Sequence, residues 1–108
     1  MGNSKSLAIE LAKDFKKRAA KKYGIKKIIL FGSQATGKKR EGSDIDLLVV
    51  SDRFKKRANF MSKLFAEWHI VQKKNLPVDF LPYRTKEFEN MSKGVTIVHQ
   101  AIKEGIEI

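Results

Sequence analysis

The sequence predicts an α/β domain, a small β-sheet with helices packed on it, and three observations carry that expectation. A stripe of apolar residues at four-residue spacing opens the chain and ends at a glycine. Two runs rich in isoleucine, leucine and valine follow, separated by a polar stretch containing glycines. Beyond them, helix-period and strand-like segments alternate to the end of the chain, as in helices layered on a sheet.

Each element has a local reason. Leu7, Leu11, Phe15, Ala19 and Tyr23 recur every four residues, with Ala8 and Ala12 beside them. Lys13, Lys16, Lys17 and Lys21 fall on the other side, which makes an amphipathic helix, and Gly24 is a natural stop. Ile25 to Phe31 reads as a buried strand. Gly32 to Ser43 is polar with three glycines, a loop with at most one helical turn. Asp44 to Val50 is a second strand, whose uninterrupted Leu47-Leu48-Val49-Val50 implies burial on both faces. Phe60, Met61, Leu64, Phe65, Trp68 and Val71 mark a second helix. Leu76 to Leu81, bracketed by Pro77 and Pro82, is a short third strand. Thr85 is placed to cap a short helix through Met91. Val95, Val98, Ala101 and Ile102 mark a last helix that stops at Gly105, and Ile106-Glu107-Ile108 adds a terminal strand.

Composition narrows the class. With 108 residues and 42% hydrophobic content, residues 1–108 are expected to form a single domain with its own core. The chain has no cysteine, which excludes disulfides and cysteine-ligated zinc. No apolar run approaches the roughly 20 residues of a membrane span, and the N-terminus shows no secretory core, so a cytoplasmic protein without a membrane role is expected. "MGNSKS" matches the N-myristoylation pattern, but that pattern is short and common. The net charge of +11 is regional: up to Arg40 there are twelve Lys or Arg against Glu10 and Asp14, or +10, and the remainder nets +1. Two readings follow, a face for a polyanion or acidic partner, and a merely solvated helix face.

Two phosphate-handling motifs overlap in "FGSQATGKKREGSDIDLLVV". Gly32 to Lys38 spells G-x-x-x-x-G-K, but Lys39 stands where a P-loop needs the Ser or Thr that holds Mg²⁺, and the loop does not open directly into a helix. The carboxylates are the stronger signal. Asp44 and Asp46, at i and i+2 of a strand, project to one face. Carboxylates roughly 4 Å apart repel by several kcal/mol even at an effective dielectric near 20. Such a pair calls for a cation or a proton, and hard oxygen-seeking ions, Mg²⁺ foremost, suit it. The plain alternative is two solvated acids at a strand end. If the flanking strands form a hairpin, Gly32 and Ser33 lie beside Asp44. Gly32 then leaves the backbone open to a ligand, and Ser33 offers a hydroxyl and an N–H for an anion. Asp79 is an acid inside the apolar "LPVDFLP". A right-handed crossover would run its strand parallel to the second one and bring Asp79 alongside Asp46. Its alternative is a structural pair with a lysine.

Gly32-Ser33, Asp44-x-Asp46 and Asp79 together resemble the signature of the DNA polymerase beta-like nucleotidyltransferase superfamily, and the run from Gly32 to Val50 looks like its prokaryotic minimal members. The resemblance implies a mixed sheet flanked by helices. It implies transfer of a nucleoside monophosphate from an NTP, ATP in the first instance, to an acceptor hydroxyl. Asp44 and Asp46 would bind two Mg²⁺ ions, and Asp79 would bind the ion on the acceptor side and help deprotonate the hydroxyl. Gly32 and Ser33 would hold the β- and γ-phosphates, with Lys38, Lys39 and Arg40 screening charge. Minimal members are similar to the antitoxin half of a toxin–antitoxin pair whose partner is a HEPN-domain ribonuclease, silenced by AMP attached to a tyrosine. Gln34 and Thr36 stand where relatives often carry arginine, a departure that bears on rate more than on reaction type.

His69 and His99 fit no metal spacing and read as packing or surface residues, and the Phe60-to-Trp68 stripe reads as core. The alternative function is a non-catalytic module that binds a partner protein, or weakly and non-specifically a nucleic acid, through the basic first region. Self-association and pairing with another chain both remain open. Metal-dependent NTP binding separates the two classes, because only the enzyme needs the three aspartates.

Overall fold

The computed structural model describes residues 4–32, 45–71, 77–94 and 96–108. In chain order these form α1 (Ser4–Tyr23), β1 (Ile25–Phe31), β2 (Ile45–Ser51), α2 (Arg57–Val71), β3 (Val78–Tyr83), α3 (Thr85–Ser92), α4 (Ile97–Glu104) and β4 (Ile106–Glu107). The strands make one mixed sheet in the order β3-β2-β1-β4, with β1 antiparallel to both β2 and β4, and β2 parallel to β3. The parallel pair is joined through α2, because parallel neighbours need a crossover rather than a tight turn. This is the small sheet with flanking helices that the sequence predicts. Gly24 ends α1 with φ +60°, a conformation glycine adopts without steric cost.

Both faces of the sheet are covered. Side chains of α1 and α2, including Phe15, Phe60, Leu64 and Trp68, pack on Ile28, Leu30, Leu47, Val49 and Phe80. Val98 and Ala101 of α4, with Phe88 and Met91 of α3, pack on Ile29, Leu48 and Val50. Leu47 and Val49 therefore enter one core while Leu48 and Val50 enter the other, and all four are buried. That is the physical meaning of the uninterrupted apolar run. Phe60, Leu64 and Trp68 of the predicted stripe are core residues, whereas Phe65 is 40% exposed and meets the Phe80 ring edge-on.

Two expectations about the later elements are corrected. The third strand runs through Pro82 to Tyr83 instead of stopping at Leu81. β3 is a sheet edge, so a residue without an N–H is tolerated there. Leu76, its expected start, and Val95, the expected first apolar residue of the last helix, lie outside the described residues. Thr85 is the first residue of α3 and not its cap, a position taken by Arg84. Glu87 accepts from the Arg84 N–H at 3.0 Å, and Asp52 accepts from the Thr85 N–H at 2.9 Å and from its hydroxyl at 2.7 Å. An acid 33 positions away thus serves the start of this helix. Lys26 also binds Asp52, and these contacts hold its carboxyl well below the usual carboxylate range, the lysine contributing most.

Part of the basic charge is spent inside the fold. Glu67, buried on α2, accepts from Arg18 Nε at 2.7 Å, from Lys22 Nζ at 2.7 Å and from the Tyr23 hydroxyl at 3.1 Å. The Lys22 hydrogen bond outweighs desolvation and lowers the Glu67 pKa from its ordinary 4.5. The folded value lies below the unfolded one, so the stability this group contributes is complete above 4.5 and lost as pH falls through the folded value. In urea titrations at pH 7 and pH 3, wild type should lose more stability between the two than Glu67→Gln. Equal losses would show that this cluster does not respond to acid.

Candidate active site

The register of the sheet decides which polar residues meet. Asp46 of β2 lies opposite Phe31 of β1, and in the parallel pair it lies beside Asp79 of β3. Residues in register on neighbouring strands share a face. Here that face is the one carrying Leu48, Val50, Leu81 and Tyr83, toward α3 and α4. Asp46 and Asp79 therefore stand side by side where β2 and β3 begin, on strands about 4.8 Å apart. Asp46 is half-buried and Asp79 exposed. Carboxylates at that spacing repel by roughly 3 kcal/mol at an effective dielectric of 20, and by less where water screens them. A divalent cation reverses the sign of that interaction.

Gly32 follows β1 with φ +75°, a left-handed conformation. A Cβ placed there would run into the Asp46 carboxylate, whose carbon would lie only 3.3 Å away. From the sequence, the missing side chain is expected to leave an opening for a ligand. The structure adds that it leaves room for Asp46 itself. Gly32→Ala is expected to lower stability by about 1–2 kcal/mol through the left-handed backbone. By displacing Asp46 it should also weaken Mg²⁺-dependent ATP binding by about tenfold, the scale of a change that reorients a metal ligand. Urea titration and calorimetry check the two halves separately.

Ser33 and Asp44 lie outside the described residues, as do Gln34, Thr36, Lys38, Lys39 and Arg40. Among the described residues, no three His, Cys, Asp or Glu side chains gather into a metal cluster. The acids brought together are Asp46 and Asp79, a donor set of carboxylate oxygens suited to a hard ion such as Mg²⁺. His69 is exposed on α2, and His99 is exposed on α4 with Nδ1 3.2 Å from the Ser92 carbonyl, so both are surface residues.

A hollow of about 240 Å³ opens beside Gly32, between the end of β1 and α4, lined by Phe31, Gly32, Ile97, Gln100, Ala101 and Glu104. Its α4 wall was missed in the sequence, where Val98 and Ala101 mark the buried stripe. The signal was the adjoining line Ile97, Gln100 and Glu104, spaced by helical turns along the edge of that stripe. A larger cleft of about 410 Å³ lies elsewhere, at the far end of β2. No helix among the described residues is long and apolar enough to cross a membrane.

A family model described as a nucleotidyltransferase domain matches residues 12–107. A solved structure of a protein described as a nucleotidyltransferase from Sulfolobus solfataricus superposes with a TM-score of 0.58 at 21% identity, covering 99% of this chain and 87% of that one. A structure described as a toxin-antitoxin with AMP-PNP superposes with a TM-score of 0.53 at 18% identity, covering 88% of this chain and 70% of that one. At these identities the two structures establish a shared fold. Among curated proteins, none matches the chain.

Proposed function

The chain belongs to the nucleotidyltransferase domain family, and from that premise we propose that it transfers AMP from ATP to a hydroxyl group on a partner protein in the cytoplasm. The observation that carries the reading is the register Asp46↔Asp79, with Gly32 against the Asp46 carboxylate. Asp46 and Asp79 would hold Mg²⁺, together with Asp44, which the sequence places two positions before Asp46. Two bound ions would supply charge neutralisation at the attacking and leaving oxygens. Asp79, the more exposed acid, accepts the proton of the acceptor hydroxyl. The hydroxyl oxygen attacks the α-phosphorus, a new P–O bond forms, the bond to the bridging oxygen breaks, and pyrophosphate leaves. Gly32, at the end of β1, would receive the β- and γ-phosphates together with Ser33, the next residue in sequence.

A protein acceptor is supported by the fold shared with a toxin-antitoxin structure that holds AMP-PNP, an adenine nucleotide. The proposed partner is of the HEPN type, with this chain as the antitoxin. Docking of a folded partner would position the hydroxyl, and such proximity is worth several kcal/mol. The test is co-expression with the product of the neighbouring gene, followed by intact-mass spectrometry of that product. One or more added AMP masses, absent with Asp46→Asn, are expected. An unmodified partner combined with efficient AMP transfer to a small molecule or an RNA end would overturn the reading.

A further inference from the structure

A cleft of about 410 Å³ lies away from the paired aspartates. It lies where β2 ends and α2 begins, next to the C-terminal turn of α1. β2 separates the two places by the five steps from Asp46 to Ser51, roughly 17 Å at strand rise. Lys22, Arg53, Lys55, Lys56 and Lys63 line the cleft, and no acidic residue does.

We infer that this cleft is a second binding site, independent of the proposed transfer reaction, that takes the phosphate backbone of a nucleic acid without reading its bases.

Four observations converge on that ligand. The charge in the cleft is available. Among the described residues the ammonium groups of Lys55, Lys56 and Lys63 make no ion pair or hydrogen bond, whereas Lys22 is engaged by Glu67. Arg53 is held in place: its Nη1 donates to the Lys21 carbonyl at 3.1 Å, and its stem lies over Gly24, where a Cβ would come within 2.5 Å of it. A guanidinium fixed through one nitrogen keeps the rest of its fork for a phosphate, which it matches in shape.

The charge is also placed against the local preference of the fold. Lys55 and Lys56 immediately precede α2, a helix of 15 residues with no acid in its first turn. Cations at the positive end of a helix dipole are unfavourable by a few tenths to about 1 kcal/mol each, and an anion in the cleft would offset this. A local rule broken without compensation inside the protein marks a functional place.

The aromatic floor excludes base readout. Phe54 and Phe60 are buried and stack on each other at 4.5 Å, and Arg84 sits 5.3 Å from the Phe54 ring centre. The faces of these two rings are taken, and Tyr23, the third ring of the lining, meets Phe60 edge-on, donates its hydroxyl to Glu67 and has the Lys22 ammonium 5.7 Å from its centre, so phosphate contacts are what the site offers. An extended polyanion suits it better than a single ion, because exposed cations of α1, Lys17 and Lys21, continue the charge beyond the cleft.

The experiment measures binding of a fluorescent 20-nucleotide oligo(U) by anisotropy from 20 to 200 mM salt, with poly-glutamate of matched charge and inorganic pyrophosphate as competitors. The triple variant Lys55→Ala, Lys56→Ala, Lys63→Ala changes exposed side chains. It should weaken oligo(U) binding by at least tenfold at low salt and lower the slope of log K against log salt by about 2, near 0.7 for each lost phosphate contact. Lys93→Ala with Lys103→Ala, exposed and outside the cleft lining, should change affinity by less than threefold. Unchanged affinity and slope in the triple variant overturn the proposal. So does poly-glutamate competing as well as the oligonucleotide, which would give the cleft to an acidic protein. Full displacement by pyrophosphate at equal charge concentration also overturns it, by reducing the site to one for a small anion. Because no readout involves AMP transfer, the result stands apart from the catalytic reading.

Discussion

Asp79→Asn should lower AMP transfer by about 10²-fold or more while ATP binding stays within a few-fold of wild type. Asparagine keeps the size of the side chain and one carbonyl oxygen, but it cannot take a proton from an attacking hydroxyl, and the loss of a general base has that magnitude. The position supports this division of labour. Asp79 sits on the edge strand and is exposed, beside a half-buried Asp46 that is tucked against Gly32. The inner acid is suited to the nucleotide and its ions, the outer one to whatever approaches from solution. Calorimetry with ATP and Mg²⁺ measures the first property, and single-turnover transfer to the partner measures the second. The variant should fold at least as well as wild type, since it removes one charge of a like-charged pair. Transfer at the wild-type rate would end the role proposed for Asp79, and loss of ATP binding would move it to the nucleotide side.

Trp68→Ala should cost about 3–5 kcal/mol, a large share of the 5–15 kcal/mol that holds a domain of this kind together. Trp68 is 2% exposed and meets Phe15 edge-on at 6.0 Å and Phe80 at 6.3 Å. Phe15 and Phe65 also contact Phe80, at 5.3 and 5.1 Å between centroids. Three rings from α1 and α2 thus grip the residue that follows Asp79, so the packing that stabilises the domain also holds β3 in register with β2. The cavity left by alanine loses both the transfer free energy of the indole and its contacts. Urea denaturation followed by circular dichroism checks the figure, and the weakened grip should lower transfer in the same variant. A loss below about 1 kcal/mol would show that the core closes over the site of the indole without it.

The elements of the fold were legible because their signals are local. Leu7 to Tyr23 repeat at the period of a helix, and a backbone with that period has little choice about which face it buries. Leu47 to Val50 announced a strand covered on both sides, and the two cores divide its residues alternately. The pairing of Asp46 with Asp79 was also within reach, because a strand, a helix and a second strand have one favoured handedness and so one favoured direction. The roles of Ser33 and Asp44 rest on sequence alone.

Other features depend on residues far apart in the chain, and no window of sequence contains them. Thr85 looks like a cap until Asp52, 33 positions earlier, is seen to take its N–H and hydroxyl. Pro82 looks like the end of a strand until β3 proves to be the sheet edge. Glu67 is one acid among many lysines until Arg18, Lys22 and Tyr23 close on it from 44 to 49 positions away. The sequence by itself determined the periodicity of each element, the side of the strand on which the aspartates stand, and the size of the positive charge. Tertiary structure alone decided that Gly32 must lack a Cβ because a carboxylate occupies its place, which lysines are spent on internal pairs, and which are left at a cleft remote from the aspartates. The reason is physical: periodicity is a property of the backbone and repeats within a few residues, whereas the partner of a charge is whichever group the packing of the sheet and its helices brings within about 3 Å.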